Sequence, residues 1–249
     1  MTQHDEQVTI PDEGSMTMTV WTPDASRASP RASESTGAAG GGPGMLLIQE
    51  IFGVGPYIRA VGARLAEAGY VVGAPDLFWR FAPGFEGAHD EAGLAESMQQ
   101  AGNLDPAKAV SDCIAALEHL AGLSSPGARP GVIGFCLGGT LAFGVAAADD
   151  PSVCVSYYGS GVPGMVDRLP EVTCPTLFHF GAEDAYIPAD GVEALAAALP
   201  AGMVLNVEAA GHAFDNHESE MFWNEAAAKA AWSKTMAYLA EHHPTGEAP

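Results

Sequence analysis

Residues 131–148 read GVIGFCLGGTLAFGVAAA, and this stretch decides the fold. GVIGF (131–135) is an apolar run of strand length, and 137–148 is an Ala-rich run long enough for a helix. Between them stands Cys136, with Gly134 two residues before it and Gly138 two after. A strand that turns at once into a helix needs small residues where the two backbones meet, and it presents the residue at the turn on the helix N-terminus. The helix dipole there favours a thiolate, and the N–H of Leu137 points to where an oxyanion would develop. These residue types describe a G-x-nucleophile-x-G elbow with Cys where Ser is commoner. Taken alone, the six residues GFCLGG leave open a buried cysteine in an ordinary Gly-rich turn.

Outward from this unit the alternation repeats. MLLIQ (45–49), YVVGAPDL (70–77), VCVSYYG (153–159), PTLFHFG (175–181) and MVLNVEA (203–209) read as strands. An earlier strand is read from alternating residues over 16–21. Helices are expected over 57–68, 88–102, 106–120, 188–199 and 218–242. Strands that are nearly continuous apolar runs, separated by helices, predict a mostly parallel central sheet flanked by helices on both faces, an α/β fold. We expect one domain over 1–249. Residues 23–44, built from Pro, Ala, Ser and Gly, cannot bury enough surface to offset ordering entropy and are expected to form a mobile loop joining two early strands.

Right-handed crossovers put the strand C-termini on one edge, so partners for Cys136 are sought there. Asp184 follows PTLFHFG, and His212 follows MVLNVEA. The chain order nucleophile, acid, histidine fits an arrangement in which Asp184 orients His212 and His212 activates Cys136. Glu183 is the alternative acid. His179, inside a strand, is expected in the core, and His217, His242 and His243 in solvent. Glu50 follows the strand MLLIQ; a carboxylate at a strand end needs a partner or a purpose. It is a candidate to control the Cys136 proton, with the Ile51 N–H as second oxyanion donor beside Leu137.

Composition excludes other classes. The 249 residues carry 10 Lys+Arg against 31 Asp+Glu, a formal net charge of -21, which argues against nucleic acid or an anionic membrane as partner. Four cysteines without CxxC or metal-ligand spacing suit a reducing compartment, and a cytoplasmic location is expected. The N-terminus MTQHDEQVTI has neither the basic nor the apolar part of a signal peptide, and no apolar run reaches the ~18 residues of a membrane span. No GxGxxG follows a strand and no paired His suggests a metal, so no cofactor is expected. The expected partner is a small-molecule ester or lactone, and the chain a monomer or small homo-oligomer.

QEIFGVGPYIR, PDLFWRFAPG, GFCLGG, YYG, GAEDAYIP and AGHAF occur in this order, and together they resemble the dienelactone hydrolase family of the α/β-hydrolase fold. The resemblance runs from about Met45 to Leu239. It implies a cysteine-dependent hydrolase of a lactone, ester or thioester, with nucleophile Cys136, histidine His212, acid Asp184 and thiol-gating glutamate Glu50. It also implies that the resting thiol is held quiet until substrate lets Glu50 take its proton. The chain departs from the family where dienelactone hydrolase proper clamps a substrate carboxylate with arginines: Leu94 and Asn216 stand there. A pocket Tyr falls near Met98, and a Ser after the histidine is Ala213. The pocket is expected to be lined by Phe52, Trp79, Tyr158 and Phe214, with Arg80 the nearest cation. A non-catalytic small-molecule binder and a thiol redox sensor on the same fold are the competing readings.

Overall fold

The computed structural model describes residues 1–24, 41–126 and 129–246. Most of the expected loop over 23–44 lies outside the described residues. Eight strands form one sheet in the order β1-β2-β4-β3-β5-β6-β7-β8. The strands are β1 (Thr2–Ile10), β2 (Gly14–Thr22), β3 (Gly44–Ile48), β4 (Val71–Pro75), β5 (Gly131–Phe135), β6 (Cys154–Tyr157), β7 (Thr176–Gly181) and β8 (Met203–Glu208). From β4 to β8 every neighbouring pair is parallel. The hairpin β1–β2 adds two antiparallel strands at one edge. This is the mostly parallel, helix-covered sheet that the apolar runs predict. β3, β4, β5, β6 and β7 are buried at every residue, because helices cover both faces.

The helices are α1 (Pro56–Glu67), α2 (Glu91–Gly102), α3 (Pro106–Ala121), α4 (Leu137–Ala148), α5 (Ala189–Ala198) and α6 (Glu225–His242). Helices α3 and α4 pack together in one layer; α1 and α6 meet through Arg64, whose guanidinium lies 3.7 Å over the Trp232 ring. Local sequence explains the ends. Pro56 and Pro106 open their helices where no N–H is needed, and Asp90, Asp105 and Asn224 accept N–H bonds from the first turns of α2, α3 and α6.

Three departures have physical reasons. Strand β1 escaped the sequence reading because its first residues are exposed and polar, without an apolar alternation; its register, Thr2↔Thr22 to Ile10↔Gly14, comes from pairing with β2. The last helix starts at Glu225, not near 218, because residues 211–224 form turns around the buried Ser219 and Asn224 then caps. His243 is buried, not solvated: its ring bonds Ser152 Oγ at 2.8 Å and the Gly44 carbonyl at 2.9 Å. His179 is in the core as expected, 3.0 Å from Thr235 Oγ1.

Candidate active site

Four parallel strands deliver the site at their C-terminal ends. Strand β5 ends at Phe135, and Cys136 turns the chain into α4 with φ 53° and ψ −113°, a left-handed conformation unusual for a non-glycine residue. A side chain on Gly134 would collide with the Gly138 backbone, and one on Gly138 with the backbone of Ile48 and Gln49. Both glycines are therefore required by close backbone approach. The bond from Cys136 N–H to the Tyr157 carbonyl, 3.0 Å, fastens the strained turn to β6.

Backbone bonds also join the loops after β7 and β8. The N–H of Ala182 donates to Glu208 at 2.8 Å, and that of Glu183 to Ala210 at 2.9 Å. This brings Asp184 to His212: the carboxylate Oδ2 lies 2.7 Å from Nδ1. The other oxygen of Asp184 accepts the N–H groups of Tyr186 and Ile187 at 2.8 and 3.1 Å, which fixes the carboxylate. His212 Nε2 lies 3.1 Å from Cys136 Sγ. Burial opposes charge on the imidazole, but the bonds to Asp184 and to Cys136 outweigh it and push His212 up to about 10. Glu183, the alternative acid, is exposed.

Glu50 stands just past β3, fully buried. Gln49 holds its turn: Gln49 Oε1 accepts the Leu77 N–H at 3.1 Å and Nε2 donates to the Glu50 carbonyl at 3.3 Å. The Glu50 carboxyl accepts from Asn216 Nδ2 at 2.8 Å; Asn216 also meets His89 Nδ1 at 3.0 Å. Burial pushes Glu50 up to about 8, with the His212 charge opposing and the Asp215 charge adding to the rise. The sequence reading missed Gln49 and Asn216 as partners of Glu50. Polarity close to a candidate catalytic group, in QEIFG and HAFDN, was the available signal.

Cys136, His212, Glu50, Ile51, Leu137 and Phe52 all line one cavity of about 230 Å³. The expected oxyanion donors Ile51 and Leu137 therefore border the space beside the sulfur. The rest of the wall is Leu94, Met98 and Ala101 of α2, with Ser160, Tyr186, Ala213 and Phe222.

Four expected pocket residues do not border this cavity. Tyr158 and Phe214 are fully buried, their rings 5.2 Å apart; Tyr158 packs 5.3 Å from the His212 ring and its hydroxyl meets Tyr57 at 3.2 Å. Tyr158 supports His212, Phe214 packs on Tyr158, and neither lines the chamber. Arg80 binds both oxygens of Asp112, and Trp79 Nε1 donates to the same carboxylate at 3.2 Å. Asp112 is buried on α3 and needs a cation, so it takes Arg80, which Glu13 also binds. Arg59, the other cation near these motifs, pairs with Glu86. Among the described residues, no group of three or more His, Cys, Asp or Glu side chains is disposed to hold a metal ion, and no helix is long and apolar enough to cross a membrane.

An eight-stranded α/β sheet with this elbow at its carboxyl edge defines an α/β-hydrolase-fold enzyme acting on ester bonds. The chain belongs to the dienelactone hydrolase family, whose model matches residues 31–243. It is 35% identical to a carboxymethylenebutenolidase of Pseudomonas sp. (strain P51) over 212 residues, covering 84% of this chain and 89% of that one. It is 33% identical to carboxymethylenebutenolidase 1 of Cupriavidus pinatubonensis over 204 residues, covering 80% and 86%. A crystal structure of a Klebsiella pneumoniae protein assigned to the dienelactone hydrolases superposes with a TM-score of 0.76 at 26% identity, covering 97% of this chain and all of the other.

Proposed function

We propose that the chain hydrolyses a small carboxylic ester, lactone or thioester through Cys136, His212 and Asp184, with Glu50 as the base that takes the thiol proton. One observation carries this reading: the imidazole of His212 stands 3.1 Å from the Cys136 sulfur and 2.7 Å from the Asp184 carboxylate, at a strained strand-to-helix elbow.

The chemistry runs in two halves. As substrate enters, the Cys136 thiol gives its proton to the Glu50 carboxylate. The sulfur attacks the carbonyl carbon, and the carbonyl pair moves to oxygen, which accepts the N–H groups of Leu137 and Ile51. The tetrahedral adduct collapses, the carbon–oxygen bond breaks, and protonated His212 gives its Nε2 proton to the leaving alkoxide. A thioester remains on Cys136. Water then loses a proton to His212 and attacks the thioester; the carbon–sulfur bond breaks, Glu50 returns its proton to the departing Cys136 sulfur, and the acid leaves. Asp184 holds the imidazole in one tautomer throughout and stabilises its charge. The resting quiet thiol implied by the family resemblance finds no direct bond here, since Cys136 meets His212 and the Glu50 carboxyl meets Asn216.

The test is trapping. With p-nitrophenyl acetate and a His212→Ala variant, which cannot activate water, intact-protein mass spectrometry should show one acetyl group. Peptide mapping should put it on Cys136. Acetylation elsewhere, or none despite turnover by the wild type, would overturn the assignment.

A further inference from the structure

Helix α2 carries an apolar stripe that the protein core does not use. Its buried residues are Gly93 and Ser97. Leu94, Met98 and Ala101, at spacings of four and three, make the neighbouring face, and all three border the cavity that holds Cys136. Leu94 and Ala101 are only half-buried, and Met98 is 54% exposed. On the His212 side of the same cavity, Tyr186, 53% exposed, and Phe222 stand against the His212 ring at 5.1 and 6.5 Å. Large apolar side chains this open are ordinary when scattered singly and informative when two of them border one reactive cavity. Among the described residues no Lys or Arg lines the chamber, and the acid and the imidazole in its wall are Glu50 and His212.

The two walls serve different ends of an ester. His212 must reach the leaving oxygen to protonate it, so the leaving group lies on the side of Tyr186 and Phe222. The acyl group then extends toward α2. We propose that the substrate is a neutral ester with an unbranched apolar acyl chain, laid along Leu94, Met98 and Ala101. This rests on the hydrolytic reading above and names the substrate class for that site. The stripe gains its missing apolar cover when such a chain is bound, and a charged or strongly polar acyl group would leave it wet.

The test is a series of p-nitrophenyl esters from acetate through butyrate and hexanoate to octanoate. kcat/KM should rise by roughly two- to fourfold per methylene until the stripe is covered. Met98→Glu, a change at an exposed position that leaves the core intact, should cut the octanoate-to-acetate ratio by about tenfold or more. Leu94→Ser should cut it in the same direction. In a parallel series of alkyl acetates, where the chain is on the alcohol, the ratio should respond to Tyr186→Ser and not to Met98→Glu. A flat or falling acyl series in the wild type, with acetate still turned over through Cys136, would overturn the inference and leave the hydrolytic reading standing. An acyl ratio unmoved by both α2 variants would do the same. A wild type that hydrolyses none of the esters would remove the hydrolytic reading, and the inference with it.

Discussion

The side-chain amide of Asn216 donates to the buried carboxyl of Glu50 at 2.8 Å. A neutral amide satisfies one carboxyl oxygen without supplying a positive charge, so desolvation dominates and Glu50 stays protonated up to about 8. That proton affinity is high for a carboxylate and suits the proposed role of accepting a thiol proton.

The first consequence is a pH profile. Glu50 must be ionised to act as base, so kcat/KM for a neutral ester should rise with pH and level off above about 8. It should fall again as His212 loses its proton near 10, because the leaving group then lacks an acid. Asn216→Asp places a second acid against Glu50 and should move the rising limb upward by about one unit. A profile flat from neutrality to mildly alkaline pH, or a limb unmoved in Asn216→Asp, would contradict the role of Glu50.

Glu50→Gln separates function from stability. Gln keeps an oxygen for Asn216 but cannot take a proton, so kcat/KM should fall by about 10²–10⁴-fold. Thermal stability should move the other way. The folded pKa of Glu50 lies above its unfolded value, so its protonated form favours folding at low pH and that advantage is lost as pH rises through about 8. Relative to the wild type, the variant should therefore gain stability, read as a higher Tm, and gain more at alkaline pH than near pH 5, the difference being on the order of a few kcal/mol at most. Equal Tm at both pH values would mean that Glu50 is not desolvated.

Arg80→Ala should cost stability and spare catalysis. Asp112 would be left buried without its cation, which costs about 3–5 kcal/mol, whereas kcat/KM should stay within about twofold because Arg80 faces away from the cavity. A strong rise in KM with Tm unchanged would put Arg80 back in the substrate site.

Charge on the substrate gives a fourth prediction. Leu94 lines the chamber, Asn216 is bonded to Glu50, and Arg59 and Arg80 are held by acids. For a matched pair of dienelactones, the esterified form should have kcat/KM at least about tenfold above the free acid, because a carboxylate laid against this apolar wall loses water without gaining a Lys or Arg, a cost of about 1.4 kcal/mol or more. A preference for the free acid would contradict this and show that the carboxylate pairs with the protonated His212.

The sequence carried the parallel sheet because β3, β4, β5, β6 and β7 are buried on both faces, and continuous apolar runs record that directly. Cys136, Asp184 and His212 were legible because each follows a strand whose C-terminus lies on one edge. The pocket wall was less legible. Trp79 and Arg80 follow PDL, at the end of β4, but Asp112, 32 residues further on for Arg80, claims both side chains. Which side chain a buried carboxylate recruits is a tertiary fact. The same holds for Asn216 and Glu50, 166 residues apart, and for Tyr158, which the hydroxyl of Tyr57 draws beneath His212.

The most direct test of the account is turnover of p-nitrophenyl acetate by Cys136→Ala beside single alanine variants of the other three cysteines. Cys113, Cys154 and Cys174 are buried away from the cavity, and burial pushes each thiol up, so they do not supply a thiolate. Their variants, once shown to be folded, should keep most of the wild-type kcat/KM. Folded Cys136→Ala should lose at least about a thousandfold. Turnover by Cys136→Ala within about tenfold of the wild type would contradict the assignment of Cys136 as nucleophile, and with it the mechanism.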